Sequence, residues 1–251
     1  MLFEDKVKKL RIEKHKGRET EAFLNDVKQM CDGKSFEYLM GVVDFCGAKI
    51  DLSYKPMIPR PETEFWVSCV IENIPAQARP VRALDLFAGS GCVGLAVLKN
   101  ISNSQVTFVE IDKRSKNQIE ISLDRNKIDR GRAEIIIEDC VRFLQNKNGQ
   151  KFDMAFVVPP YVPPHLKDEV MQELHQEEEL FFFDKEDGFF YIKEVLSNIS
   201  NILNEGGELF MEFDITQRQK IEELVLEKGF KNYSFLKDPY GHECVIFLKS
   251  L

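Results

Sequence analysis

Leu84-Asp85-Leu86-Phe87-Ala88-Gly89-Ser90-Gly91-Cys92-Val93-Gly94 is an apolar run that meets a carboxylate, breaks into closely spaced glycines and turns apolar again. It reads as a strand, a tight turn and a helix. Glycine lets the backbone turn sharply and approach a ligand, and the helix start offers free N–H groups. Gly89-x-Gly91-x-x-Gly94 also satisfies the dinucleotide fingerprint, with Glu110 about 20 residues on, at the end of the next strand, to accept from ribose hydroxyls. Asp85 discriminates between ligands. A carboxylate four residues before the first glycine points to where a dinucleotide places its pyrophosphate, and like charges repel there. A cationic ligand is welcome instead, and S-adenosylmethionine carries an ammonium, a sulfonium and a ribose that Glu110 can hold.

Strand-like and helix-like segments alternate on from this stretch. Strands are expected at Val81 to Phe87, Gln105 to Ile111, Ala133 to Ile137, Phe152 to Val158 and Glu208 to Phe213. Helices are expected at Cys92 to Lys99, Lys113 to Lys127, Val141 to Asn146, Asp187 to Leu203 and Gln217 to Lys228, and Tyr233 to Leu236 with Glu243 to Leu248 reads as a closing hairpin. The expected fold is α/β: a seven-stranded, mostly parallel sheet with helices on both faces, and a ligand site at the carboxyl ends of its strands. Upstream, residues 1–32 carry apolar positions at helical spacing (Ala22, Phe23, Val27, Met30) and end on Asp32-Gly33. Ser35 to Met57 reads as a hairpin-like connector, and Pro61 opens a helix with Glu62 and Glu64 in its first turn. The expected units are 1–32, a reduced helical segment; 33–80, connector and linking helix; and 81–251, the catalytic domain, with a boundary near residues 76 to 81.

With 34 Lys plus Arg against 42 Asp plus Glu, the chain has a formal charge of −8 and is 43% apolar. It can bury a core, and its charge argues against a long contact with nucleic-acid phosphate. The start is charged every two or three residues, with no apolar signal segment, and no run of about 18 apolar residues follows, so a soluble cytoplasmic protein is expected. Six cysteines (Cys31, Cys46, Cys69, Cys92, Cys140, Cys244) and four histidines (His15, His165, His175, His242) show no metal-ligand spacing, and no metal is expected.

Phe156-Val157-Val158-Pro159-Pro160-Tyr161 closes another apolar strand. Its prolines fix the backbone, remove two donors and leave carbonyls facing outward beside an aromatic ring; a plain proline-rich loop is the bland reading.

Asp85 to Gly91, Glu110, Glu138-Asp139 and Val158-Pro159-Pro160-Tyr161 resemble the cofactor and substrate motifs of class I amino-methyltransferases. Ile58-Pro59-Arg60-Pro61-Glu62-Thr63-Glu64, with Phe36-Glu37-Tyr38-Leu39-Met40-Gly41 and Asp44-Phe45-Cys46-Gly47 upstream, resembles the connector of the bacterial release-factor glutamine N5-methyltransferases. Glu186-Asp187-Gly188-Phe189 and Asp238-Pro239-Tyr240-Gly241 are similar to that family too, so the resemblance runs from about residue 33 to the end. Its proline-bracketed connector is the most specific part, because nucleic-acid methyltransferases with the Pro-Pro-aromatic element generally lack it.

The resemblance implies a Rossmann-like class I fold and S-adenosyl-L-methionine as cofactor, with S-adenosyl-L-homocysteine as product. It implies methylation of a protein glutamine, in the Gly-Gly-Gln loop of a peptide-chain release factor, and hence a role in translation termination. The release factor is then the partner, with no direct nucleic-acid or membrane contact, and a monomer is favoured. Asp85, Leu86, Phe87, Ala88, Gly89 and Gly91 would line the methionine and ribose parts of the cofactor. Glu110 would take the ribose hydroxyls, Asp139 and Cys140 would flank the adenine, and Val158 would border the cofactor. Val158, Pro159, Pro160 and Tyr161 would hold the substrate amide and carry catalysis, with Arg60, Pro61 and Thr63 also on the substrate.

Three departures stand out: Val158 for the family's Asn, Phe87 for a usual glycine, and an N-terminal region of about 32 residues where the family has a larger helical domain. The family site accepts both amide hydrogens, one on that Asn and one on the first proline's carbonyl; Val158 accepts none. Losing one such contact costs about 10² to 10³ in rate in acyl-transfer enzymes. Two alternatives stay open: a cofactor-binding protein with impaired catalysis, and a nucleic-acid amino-methyltransferase.

Overall fold

The structure, a computed structural model, describes residues 1–74, 80–146, 149–174 and 177–250. Helix α1 (Phe3–Lys9), continued by a π-helical turn over Leu10–Lys14, is followed by α2 (Glu21–Cys31) and α3 (Phe36–Met40). A hairpin of β1 (Val42–Phe45) and β2 (Ala48–Asp51) leads to α4 (Pro61–Glu72). The alternating part then runs β3 (Val81–Leu86), α5 (Cys92–Asn100), β4 (Ser104–Glu110), α6 (Arg114–Asn126), β5 (Ala133–Ile137), α7 (Cys140–Gln145) and β6 (Phe152–Val157). After β6 come α8 (Lys167–Leu174), α9 (Phe190–Asn198), β7 (Leu203–Glu212), α10 (Arg218–Glu227), β8 (Asn232–Lys237) and β9 (Glu243–Lys249).

Seven strands form one sheet in the order β5-β4-β3-β6-β7-β9-β8, with β5 to β7 parallel and β9 antiparallel to both its neighbours. The α/β fold expected from the alternation is therefore present, closing hairpin included. The chain steps from β3 out to β5 and returns to β6 beside β3, so the strand order reverses between β3 and β6. Ligands of such sheets bind outside the strand ends at this reversal.

Composition explains the layers. The central strands are near-continuous apolar runs because helices cover both faces. Trp66 of α4 stacks on Phe156 at 6.3 Å between ring centroids, and Phe156 stacks on Phe210 at 5.6 Å. On α5, a Cβ at Gly94 would lie 2.3 Å from the Phe108 ring, so only glycine lets this helix sit so close to β4. The β1–β2 hairpin is stitched to α6: Asn126 pairs with both Lys49 N–H (2.8 Å) and Lys49 C=O (2.7 Å), and the Asp51 N–H donates to Ser122 Oγ at 3.0 Å. Phe45, Ala48 and Ile50 thus share the main core with Trp66 and Val97. Leu10, Phe23, Met30, Phe36 and Leu39 form a separate small core.

Some expected boundaries move. The helix expected from Asp187 begins at Phe190, because Gly188 adopts φ +85° and the Asp184 carboxylate accepts from the Phe190 N–H at 2.7 Å. It stops at Asn198 rather than Leu203. Strand β7 starts five residues earlier than the expected Glu208, bulging between Leu203 and Glu208, where Gly206 has φ +70°. Two short helices were not expected: α3 lies in the expected connector, and α8 in a stretch to which the sequence assigned no element. The expected domain boundary falls mostly on residues 75–79, outside the described residues. No helix among the described residues is long and apolar enough to cross a membrane.

Candidate active site

Nearly every sequence-derived candidate sits at the carboxyl ends of the parallel strands. Asp85 is the fifth residue of β3 and is buried, and its Oδ2 accepts from the Gly94 N–H at 2.8 Å. Burial pushes its pKa up to about 8, the Gly94 bond opposes this, and the nearby Glu110 charge adds to it. Glu110 ends β4, also buried. Its Oε2 accepts from Gly89 N–H at 2.8 Å and its Oε1 from Ile111 and Asp112 N–H at 2.8 and 3.0 Å. Burial raises its pKa against those three bonds. One carboxylate thereby anchors the glycine turn to the end of the next strand, and with three of its about four lone-pair sites filled it keeps one for a hydroxyl donor.

Gly89 has φ +52°, and a Cβ built there would point into open space, so the backbone is bare to an approaching ligand. Gly91 differs: its Cβ would strike Ile119 Cγ1 at 2.6 Å, so this glycine serves helix packing. Phe87 is a non-glycine residue at φ +61°, a strained conformation costing about 1–3 kcal/mol, and its ring meets the edge of Tyr191 at 5.2 Å. Leu86 and Ala88 are buried. Beyond β5, Asp139 caps α7 by accepting from Arg142 N–H at 3.0 Å, and Cys140 is buried with its thiol toward Val109 O at 3.6 Å. Burial pushes the Cys140 pKa well up, keeping it a thiol.

On the other side of the reversal, Val158, Pro159, Pro160 and Tyr161 leave β6. Val158 packs on the main core and Pro159 is buried, while Pro160 and Tyr161 are half-buried. The Tyr161 hydroxyl donates to Glu212 Oε1 at 3.0 Å. Glu212 ends β7, and its Oε2 accepts from Thr63 Oγ1 (2.8 Å) and Trp66 Nε1 (2.7 Å). Thr63, expected on the substrate, is therefore turned inward, whereas Pro61 is exposed. Arg60 pairs with the buried Glu177 at 2.6 Å, and Glu177 also accepts from Ile58 N–H at 2.9 Å. The next residue, Glu178, accepts from both terminal guanidinium nitrogens of Arg114, which also pairs with Asp112. Consecutive glutamates thus strap the connector on one side and the end of β4 on the other. The Asp238-Pro239-Tyr240-Gly241 motif is a self-capped turn between β8 and β9, with Asp238 Oδ1 accepting from the Tyr240 and His242 N–H groups.

Glu212, Glu177 and Gln217 carry much of this geometry and were not singled out by sequence. A carboxylate inside the apolar run Leu209-Phe210-Met211-Glu212-Phe213 was the available signal. A cavity of about 670 Å³ lies away from these residues, at the opposite end of the sheet, between α4 and the starts of β3 and β6.

The sheet order, the bare glycine turn and the two buried carboxylates beneath it define a class I, S-adenosylmethionine-dependent methyltransferase fold. Comparison with known proteins agrees. The chain is 26% identical over 222 residues to a release factor glutamine methyltransferase of Flavobacterium psychrophilum, covering 87% of this chain and 76% of that one. It is 27% identical to the release factor glutamine methyltransferase of Streptococcus pneumoniae, covering 91% and 80%. Among solved structures, the Thermus thermophilus 16S rRNA N2 G1207 methyltransferase, in complex with AdoMet and guanosine, superposes with a TM-score of 0.57 at 19% identity, covering 84% of this chain. This chain spans 50% of that enzyme and 55% of a Streptococcus mutans structure matched with a TM-score of 0.58. The family described as "Conserved hypothetical protein 95" matches residues 53–205, and the chain belongs to it.

Proposed function

We propose that this chain transfers a methyl group from S-adenosylmethionine to the side-chain amide nitrogen of a protein glutamine, in the Gly-Gly-Gln loop of a peptide-chain release factor. The observation that carries the reading is the pairing, across one strand reversal, of the Asp85–Glu110 cradle with the Pro159-Pro160-Tyr161 segment, which Glu212 joins to Thr63 of the proline-bracketed connector. The cradle fits the cofactor: two buried carboxylates at strand ends suit a cationic ligand with a ribose, and the open face over Gly89 gives it room. Bound there, S-adenosylmethionine supplies an electrophilic methyl on a sulfonium. Asp85 would face the cationic end and Glu110 would accept from the ribose hydroxyls, with Phe87 and Tyr191 offering an apolar wall.

An amide nitrogen is a weak nucleophile because its lone pair is delocalised, so rate must come from positioning. Pro159 retains a carbonyl to accept one amide hydrogen, and the Tyr161 ring packs on the amide plane. The nitrogen would shed its proton to water after taking the methyl, with S-adenosyl-L-homocysteine as the neutral leaving group, so no strong base is required. Val158 offers no second acceptor. That favours a second reading, in which cofactor and partner bind with little turnover. Incubation with labelled cofactor and a release factor tests both. Label at the loop glutamine is expected, increased by Val158→Asn by up to about 10². No label at that glutamine from either chain would refute glutamine methylation, and tight binding without transfer by the unaltered chain would leave the second reading.

A further inference from the structure

Three donors from two separated parts of the chain converge on Glu212. Thr63 and Trp66 belong to α4, and Tyr161 follows β6, so this buried carboxylate is a joint between the linking helix and the loop beside the cradle. We propose that Glu212 is a positioning residue: it fixes the Tyr161 ring as a rigid wall for the acceptor amide, with Thr63 and Trp66 setting its own place. This rests on the reading of Tyr161 as part of the acceptor site.

The other end of Tyr161 is held as firmly. Gln217 Nε2 donates to the Tyr161 carbonyl at 3.1 Å and to the Gly188 carbonyl at 2.6 Å. Gln217 is fixed in turn, its side chain accepting from the Asp214 N–H at 3.1 Å. At Gly188, with φ +85°, a Cβ would lie 2.5 Å from the Tyr161 carbonyl, so that glycine exists in part to let the tyrosine backbone lie there. Held at its backbone and its hydroxyl, a side chain with two rotatable bonds has no rotamer left to explore. Burial and the Glu212 charge push the phenol pKa well up, so Tyr161 stays protonated and acts through its ring, not as a base. A buried carboxylate is costly unless its lone pairs are filled, and here each of its donors comes from an element the site depends on.

The test uses the full chain with a fluorinated tyrosine label read at position 161, together with cofactor affinity and the kcat and KM of methyl transfer. In Glu212→Gln, the Tyr161 signal is expected to broaden or shift, cofactor affinity to hold within about twofold, and kcat to fall by about 10². In a cycle with Tyr161→Phe, the double variant is expected to lose no more than the worse single one. An unchanged Tyr161 signal in Glu212→Gln, or losses that multiply, overturns the proposal. Should Glu212→Gln fail to fold, Thr63→Val removes one donor only and is expected to shift the same signal; no shift there overturns the proposal equally. Absence of any transfer by both the unaltered chain and Val158→Asn defeats the glutamine reading instead, while the Tyr161 signal still decides whether Glu212 holds the ring.

Discussion

Asp85 is the residue on which the cofactor argument turns, and its burial makes a signed prediction. With its pKa raised to about 8, the folded chain holds a proton that the unfolded chain has released from about pH 4 upward. Stability from this group therefore falls as pH climbs through that window and levels off above about 8. A cation bound beside Asp85 favours the carboxylate, so binding below pH 8 must expel the proton. Affinity for the cofactor is expected to rise toward pH 8 by up to about tenfold per unit and then flatten. Calorimetry in buffers of different ionisation enthalpy should detect that proton near pH 7; equal heats in all buffers and a flat affinity profile would refute it. The strand-end positions of Asp85 and Glu110 were legible because each closes an apolar run, one of them just before closely spaced glycines. Glu212 was not, since its partners lie 149, 146 and 51 residues away in sequence and only the folded sheet brings them together.

Among the elements, the sheet was readable because buried parallel strands are written as apolar runs between helical periods. What stayed hidden was settled by tertiary contact. Gly206 and Gly207 read as a loop, yet β7 continues through them by a bulge. The segment from Glu177 to Asp184 has no periodicity, and its order comes from ion pairs and from the bridge between Val162 and Phe183. Arg60→Ala would leave Glu177 buried with only the Ile58 N–H on its carboxylate among the bonds described. Because Arg60 is itself partly exposed, the expected cost is about 1–3 kcal/mol, below that of a fully buried pair. Urea unfolding should show the loss, and hydrogen exchange should show it first at the Ile58 amide. Unchanged exchange there would mean that the ion pair does not hold the connector.

For the whole molecule, two cores of unequal size predict unequal tolerance. The hairpin of β1 and β2 belongs to the main core, while residues 1–32 pack on five side chains, two of which, Phe36 and Leu39, come from the next segment. Removing residues 1–32 should uncover those two, lowering solubility and melting temperature. The Asp85–Glu110 cradle draws nothing from that cluster, so the shortened chain should bind the cofactor within about twofold of the full one. Loss of cofactor binding on truncation would show that the small core reaches the cradle.

The adjacency of Glu177 and Glu178 joins two ion pairs, with Arg60 and with Arg114, through one peptide unit. Successive Cα atoms are about 3.8 Å apart, so a backbone displacement at one glutamate carries to the other. A backbone shift that draws Glu177 from Arg60 therefore also loads the Glu178 pair with Arg114, at the start of α6. In a chain with a spacer between the two glutamates the two pairs are expected to open separately, which hydrogen exchange at the Ile58 and Arg114 amides would read.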